Sequence, residues 1–127
     1  MRFMMIVIYE SDTPDVVPRA DAVAKMMEYN RALQRAGVLL ALDALFPPSS
    51  GACISFADGK ATVIDGPFAE TKEIISGYWI IQVRSREEAI EWARRAPMSN
   101  NEVIEVRQIH EDVHKVAGGF EHRNVVH

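Results

Sequence analysis

Cysteine is nearly absent: Cys53 stands alone, which excludes an intramolecular disulfide and a Cys-rich zinc site. Positive charge is in short supply as well. Lys and Arg total 14 against 18 Asp and Glu, a net charge of −4. Gripping phosphate backbones ordinarily takes a basic face, so nucleic acid is not an expected partner. No apolar run reaches the ~18 residues of a membrane span, so no membrane association is expected. The opening Met1-Arg2-Phe3-Met4-Met5 lacks a small-residue cleavage site, which points to the cytoplasm. Gly-rich phosphate loops and the G-x-S-x-G elbow are missing too. What is present is a chain of 127 residues, 48% apolar and 25% charged, the size and make-up of one globular domain.

Hydrophobic spacing divides that domain into elements. Arg2 to Tyr9 is a short apolar run ahead of a polar, Pro-containing stretch, and it predicts a buried strand. From Arg19 to Ala36, the residues Ala22, Met26, Tyr29, Leu33 and Ala36 step by four and three, which places them on one helical face. Gly37 is the expected helix stop. Val38 to Phe46 predicts a strand, broken by Pro47-Pro48-Ser49-Ser50-Gly51. Two β-prone runs, 52–57 and 60–64, flank Asp58-Gly59, the signal of a two-residue hairpin. Ile74 to Arg84 predicts the longest strand, with Gly77 marking a bulge or a close contact. Ser85-Arg86-Glu87-Glu88 has the capping-box pattern and opens a helix that buries Ala89, Trp92, Ala93 and Ala96. Pro97 stops it, and Asn101 to Ile109 predicts the last strand. Residues 1–110 form the expected domain and 111–127 a C-terminal tail without periodicity.

The order strand, helix, strand, hairpin, strand, helix, strand predicts an α+β fold of the ferredoxin-like plan, an antiparallel sheet with two helices on one face. The other face is then bare and, given the apolar runs at Met4–Ile8 and Ile74–Val83, needs a cover. A homodimer that stacks sheet on sheet is the expected solution.

Asp65-Gly66-Pro67-Phe68-Ala69-Glu70-Thr71-Lys72-Glu73 resembles the signature of the DGPF-domain proteins, a branch of the YCII-related family. Its surroundings, from the helix ending Ala36-Gly37 to Gly77-Tyr78-Trp79, Ala89-Ile90-Glu91-Trp92-Ala93 and Ile104-Glu105-Val106-Arg107, agree over roughly residues 1–109. The resemblance implies a dimeric α+β barrel. In related YCII-like proteins it implies a His–Asp pair, but the first strand and first helix here hold no histidine. His110, His114, His122 and His127 lie at or beyond the last strand, so the pair has no counterpart.

The candidate acid–base group is therefore Asp65, read either as a catalytic base or as a turn former accepting from nearby amides. Tyr9, Phe68, Glu70, Lys72 and Tyr78 are candidate ligand-binding residues near the DGPF motif. The aromatic ones can equally be core or dimer packing, and the Glu70–Lys72 stretch a solvated connection. Cys53 is expected to be an inert core residue. His110 and His114 supply too few ligands for a closed metal site, so neither metal nor cofactor is expected. Two functions follow. One is a cofactor-free lyase or isomerase using acid–base chemistry on a small molecule. The alternative is a non-catalytic module that binds a small ligand or a protein partner in a regulatory setting.

Overall fold

The computed structural model describes residues 1–10, 20–66 and 73–111. Strand β1 (Arg2–Glu10) leads to helix α1 (Ala20–Arg35), strand β2 (Leu39–Ala44) and a short turn of 3₁₀ helix at Pro48–Ser50. The hairpin strands β3 (Ala52–Ala57) and β4 (Lys60–Asp65) follow, then β5 (Glu73–Gln82), α2 (Arg86–Arg94) and β6 (Glu102–Gln108). The main sheet has the order β2-β5-β1-β6, with every neighbouring pair antiparallel. Both helices cover one face of it, so the fold is the α+β, ferredoxin-like plan.

Alternation along the strands explains the layering. On β1, Phe3, Met5 and Val7 are buried, and the register sets them beside Ile81, Trp79 and Gly77 of β5. Tyr29 and Leu33 of α1 and Ala89 and Trp92 of α2 complete this core. Met5, Leu33 and Ile81 are fully buried, and burial of such a side chain contributes roughly 1.5–3 kcal/mol. The Tyr29 ring meets Trp79 edge-on at 5.4 Å and Trp92 at 6.4 Å. Its hydroxyl donates to the Trp92 carbonyl, joining the two helices. Burial pushes the Tyr29 phenol up to about 12, against a smaller opposing pull from Arg95.

Local chemistry sets the boundaries. Gly37 adopts φ +74°, and the Val38 N–H donates to the Leu33 carbonyl at 3.2 Å. That pairing is a Schellman-type helix end. Ser85 Oγ accepts from the Glu88 N–H at 3.1 Å. Glu88 answers at the Arg84 N–H, 3.0 Å away, one residue earlier than a standard capping box. Asp58 and Gly59 take φ of 51° and 75°, the positive values a tight hairpin turn needs.

Gly77 combines both expected roles. The register with β1 shifts beside it, between Val7 and Ile8. A Cβ at Gly77 would lie 2.7 Å from the Asp43 carbonyl oxygen.

Two expectations change, and one glycine finds its reason. Cys53 is exposed, because the hairpin forms a separate two-stranded sheet with all twelve strand residues exposed. Ala22 and Ala36 are exposed as well: α1 bears on the core through its second half, and Ala36 lies past its end. At Gly66 the requirement for glycine is space rather than φ. The positive-φ glycines among the described residues are Gly37 and Gly59, whereas a side chain at Gly66 would strike the Pro48 carbonyl. The glycine of the DGPF motif thus lets the end of β4 lie against the 3₁₀ turn, where its N–H donates to the Gly51 carbonyl at 2.9 Å.

Candidate functional site

The first half of α1 stands away from the sheet, and the gap is a cleft of about 450 Å³. Val23, Met26 and Met27 form its helix wall, Gly77 and Trp79 of β5 its floor, and Met98 closes one side. This lining is predominantly apolar, as in most small-molecule sites, with a few polar groups that can fix orientation. Asn30 is one of them. Its Oδ1 accepts from the Trp79 indole N–H at 2.8 Å, which fixes the indole in the cleft floor and leaves the Asn30 amide N–H groups without a partner among the described residues. Glu102 is another. It begins β6 in register with Tyr9, and its Oε1 accepts from the Ser99 N–H at 2.7 Å.

A second polar pair lies at the rim. Tyr78 and Asp43 are cross-strand neighbours, and the Tyr78 hydroxyl donates to Asp43 Oδ2 at 2.8 Å. That hydrogen bond, with a little desolvation and the neighbouring negative charge, raises the Tyr78 pKa above the ordinary phenol value. Tyr78 therefore stays protonated at neutral pH and serves as a donor rather than a base.

Of the residues singled out in the sequence, Tyr78 borders the cleft. Asp65 does not: it ends β4 on the exposed hairpin, paired with Ala52, and is absent from the cleft lining. Tyr9 is half-buried on β1 and also outside the lining. Phe68, Glu70 and Lys72 lie outside the described residues, as do His114, His122 and His127. His110 is exposed, and its carbonyl accepts from Arg2. No group of His, Cys, Asp and Glu suited to a metal ion occurs among the described residues.

Comparison with known proteins fits this architecture. The model of the YCII-related domain matches residues 3–112. This chain belongs to the YCII-related family. An uncharacterized protein of Rhizobium meliloti (strain 1021) is 36% identical over 80 residues, covering 60% of the present chain and 64% of the relative. The chain thus spans less than two thirds of that relative's length. No helix among the described residues is long and apolar enough to cross a membrane.

Val23, Met27, Asn30 and Glu102 were not singled out in the sequence, yet a signal for two of them was there. Val23 and Met27 sit one position after Ala22 and Met26 and widen the apolar stripe in the first half of the YCII-chain helix alone. That half carries more apolar surface than the core uses, and Val23 and Met27 remain 45% and 50% exposed.

Proposed function

We propose that this YCII-related protein is a homodimer that binds a small, largely apolar molecule in the cleft between α1 and the β2–β5 edge. The observation that carries the reading is the cleft itself: a predominantly apolar, ring-sized hollow with Trp79 at its floor. Asp65, the acid–base candidate, stands outside that lining, which favours binding over catalysis. 2-Naphthalenemethanol, a neutral two-ring probe, tests it by isothermal titration. Saturable binding is expected, lost in Ala22→Trp, which fills the mouth from an exposed helix position, and retained in Asp65→Asn. Loss in Asp65→Asn with retention in Ala22→Trp would contradict the reading.

The dimer rests on the sheet's open face. Met4, Ile6, Ile8, Ile75, Ile80 and Val103 share that face by register, with Val103 and Ile75 58% and 48% exposed. A water-facing antiparallel sheet face is ordinarily polar. Arg107 and Glu105 on β6 and Asp43 on β2 bring both signs of charge to its edges, the arrangement that suits a two-fold pairing of one surface with itself. Sedimentation is expected to give twice the chain mass, and Val103→Asp half of that. A wild-type mass of one chain at micromolar concentration would refute the dimer.

The acid–base alternative has one supporting observation, the Tyr78–Asp43 hydrogen bond. On that reading Tyr78 donates a proton and Asp43 takes its charge-balancing role, with Asp65 uninvolved. A free thiol exposed at Cys53 accords with a reducing compartment such as the cytoplasm.

A further inference from the structure

The charged residues on the described lining of the cleft are Asp43 and Glu102, and neither Lys, Arg nor His occurs there. Their placement differs. Asp43 pairs with Tyr78, whose neighbour Trp79 is buried among the helices; Asp43 and Tyr78 therefore belong to the opposite side of the sheet, and the Asp43 carboxylate is held by the Tyr78 hydroxyl. Glu102 follows the other alternation. Ile104 and Val106 of the same strand pack against the helix-covered core, so Glu102 faces the cleft.

Glu102 is half-buried. One carboxylate oxygen accepts from the Ser99 N–H, and the other has no partner among the described residues. Among the uncharged polar residues of the lining, Asn30 has its amide oxygen already taken by the Trp79 indole.

Such a lining discriminates by charge. A ligand carboxylate would lose hydration beside an anion and find no cation on the described lining to replace it, which is costly. A ligand ammonium would meet the unpaired Glu102 oxygen, and a charge-assisted hydrogen bond there is stronger than a neutral one. Partial burial of Glu102 keeps that attraction from being screened as on an open surface.

We infer that the cleft selects apolar amines over the matching carboxylates, and that Glu102 sets this preference. The inference rests on the cleft being a ligand site, and its test separates the two claims. The full-length chain is titrated with three probes of one ring system: 2-naphthylmethylamine, 2-naphthalenemethanol and 2-naphthoate. The amine is expected to bind about tenfold more tightly than the carboxylate, with the alcohol between them. Glu102→Gln keeps an oxygen for the Ser99 N–H and is expected to reduce that ratio to about threefold or less, mainly by weakening the amine. Raising the salt concentration narrows the wild-type ratio. Naphthoate binding as tightly as the amine would overturn the inference while leaving the cleft as a ligand site. A preference unchanged in Glu102→Gln would remove Glu102 from the account. Failure of all three probes to bind a folded chain, checked by its thermal transition, would overturn the ligand site and this inference with it.

Discussion

The two halves of α1 differ in what they meet. Toward its C-terminus Tyr29 and Leu33 are buried, wedged against Trp79, Trp92 and the β1–β5 strands. Toward its N-terminus Val23 and Met27 are half in water and look across a hollow at Gly77 and Trp79. The same kind of side chain thus does two jobs one or two turns apart. The packed half holds the fold together, and the open half borders the cleft proposed as the ligand site. An apolar residue on an amphipathic helix is evidence of burial by something, and only the neighbouring elements decide whether that something is the core or a guest.

Substitutions along the helix should expose this division. Leu33→Ala empties a fully buried site and is expected to cost about 2–5 kcal/mol in chemical unfolding. Met27→Ala is expected to stay within about 0.5 kcal/mol, while weakening binding of 2-naphthalenemethanol. Comparable losses of stability from both would erase the distinction.

Gly77 sharpens the comparison from the sheet side. Its missing side chain lets β2 approach beneath the open half of the helix, and the nearest obstacle to a Cβ is backbone, the Asp43 carbonyl. Gly77→Ala is expected to destabilise the fold by about 1–3 kcal/mol and to widen the β2–β5 edge, so that probe binding falls as well. Unchanged stability would mean that β2 can move aside freely.

Tyr29 marks the boundary between the halves. Tyr29→Phe removes the hydroxyl that donates to the Trp92 carbonyl and is expected to cost about 1 kcal/mol. Because burial raises the Tyr29 pKa from 10.0 to about 12, the native state holds the phenolic proton more tightly than the unfolded chain. Its contribution is therefore complete below pH 10 and is lost as pH rises through 12. The wild type is expected to lose stability over that window relative to Tyr29→Phe, measured by denaturant titration at each pH. Parallel pH curves for the two proteins would disprove the linkage. The smallest change in stability is expected from Ala22→Trp, within about 0.5 kcal/mol, although it blocks the cleft.

The architecture was legible because its signals are local and agree with one another. The step of four and three along α1, the Asp58-Gly59 turn, the Ser85 cap and the alternation around Trp79 each specify an element. Their order leaves few ways to pack. The site was less legible, since a cleft arises from where packing stops, and periodicity reports apolar faces without saying how closely two of them meet. Ala22 continued the stripe of Met26, Tyr29 and Leu33 yet reaches no core. Cys53 looked like a core residue because strand alternation says nothing of whether a hairpin joins the main sheet. Asp65 drew attention through its motif, while its exposure and its distance along the fold from the cleft lining depend on that same hairpin standing apart. Gly66 shows the reverse case: the motif demanded glycine, and the reason, a close approach of the Pro48 carbonyl, is visible only in three dimensions.

The central claim is that the hollow beneath the first half of α1 receives the ligand. Chemical-shift mapping of the isotope-labelled chain with 2-naphthalenemethanol tests it directly, because the Trp79 indole N–H gives a resolved reporter at the cleft floor. Saturable shifts of that indole signal together with the Val23, Met27 and Ser76 amides are the expected result. Shifts confined to the hairpin around Asp65, with the Trp79 indole unmoved at saturation, would contradict the account.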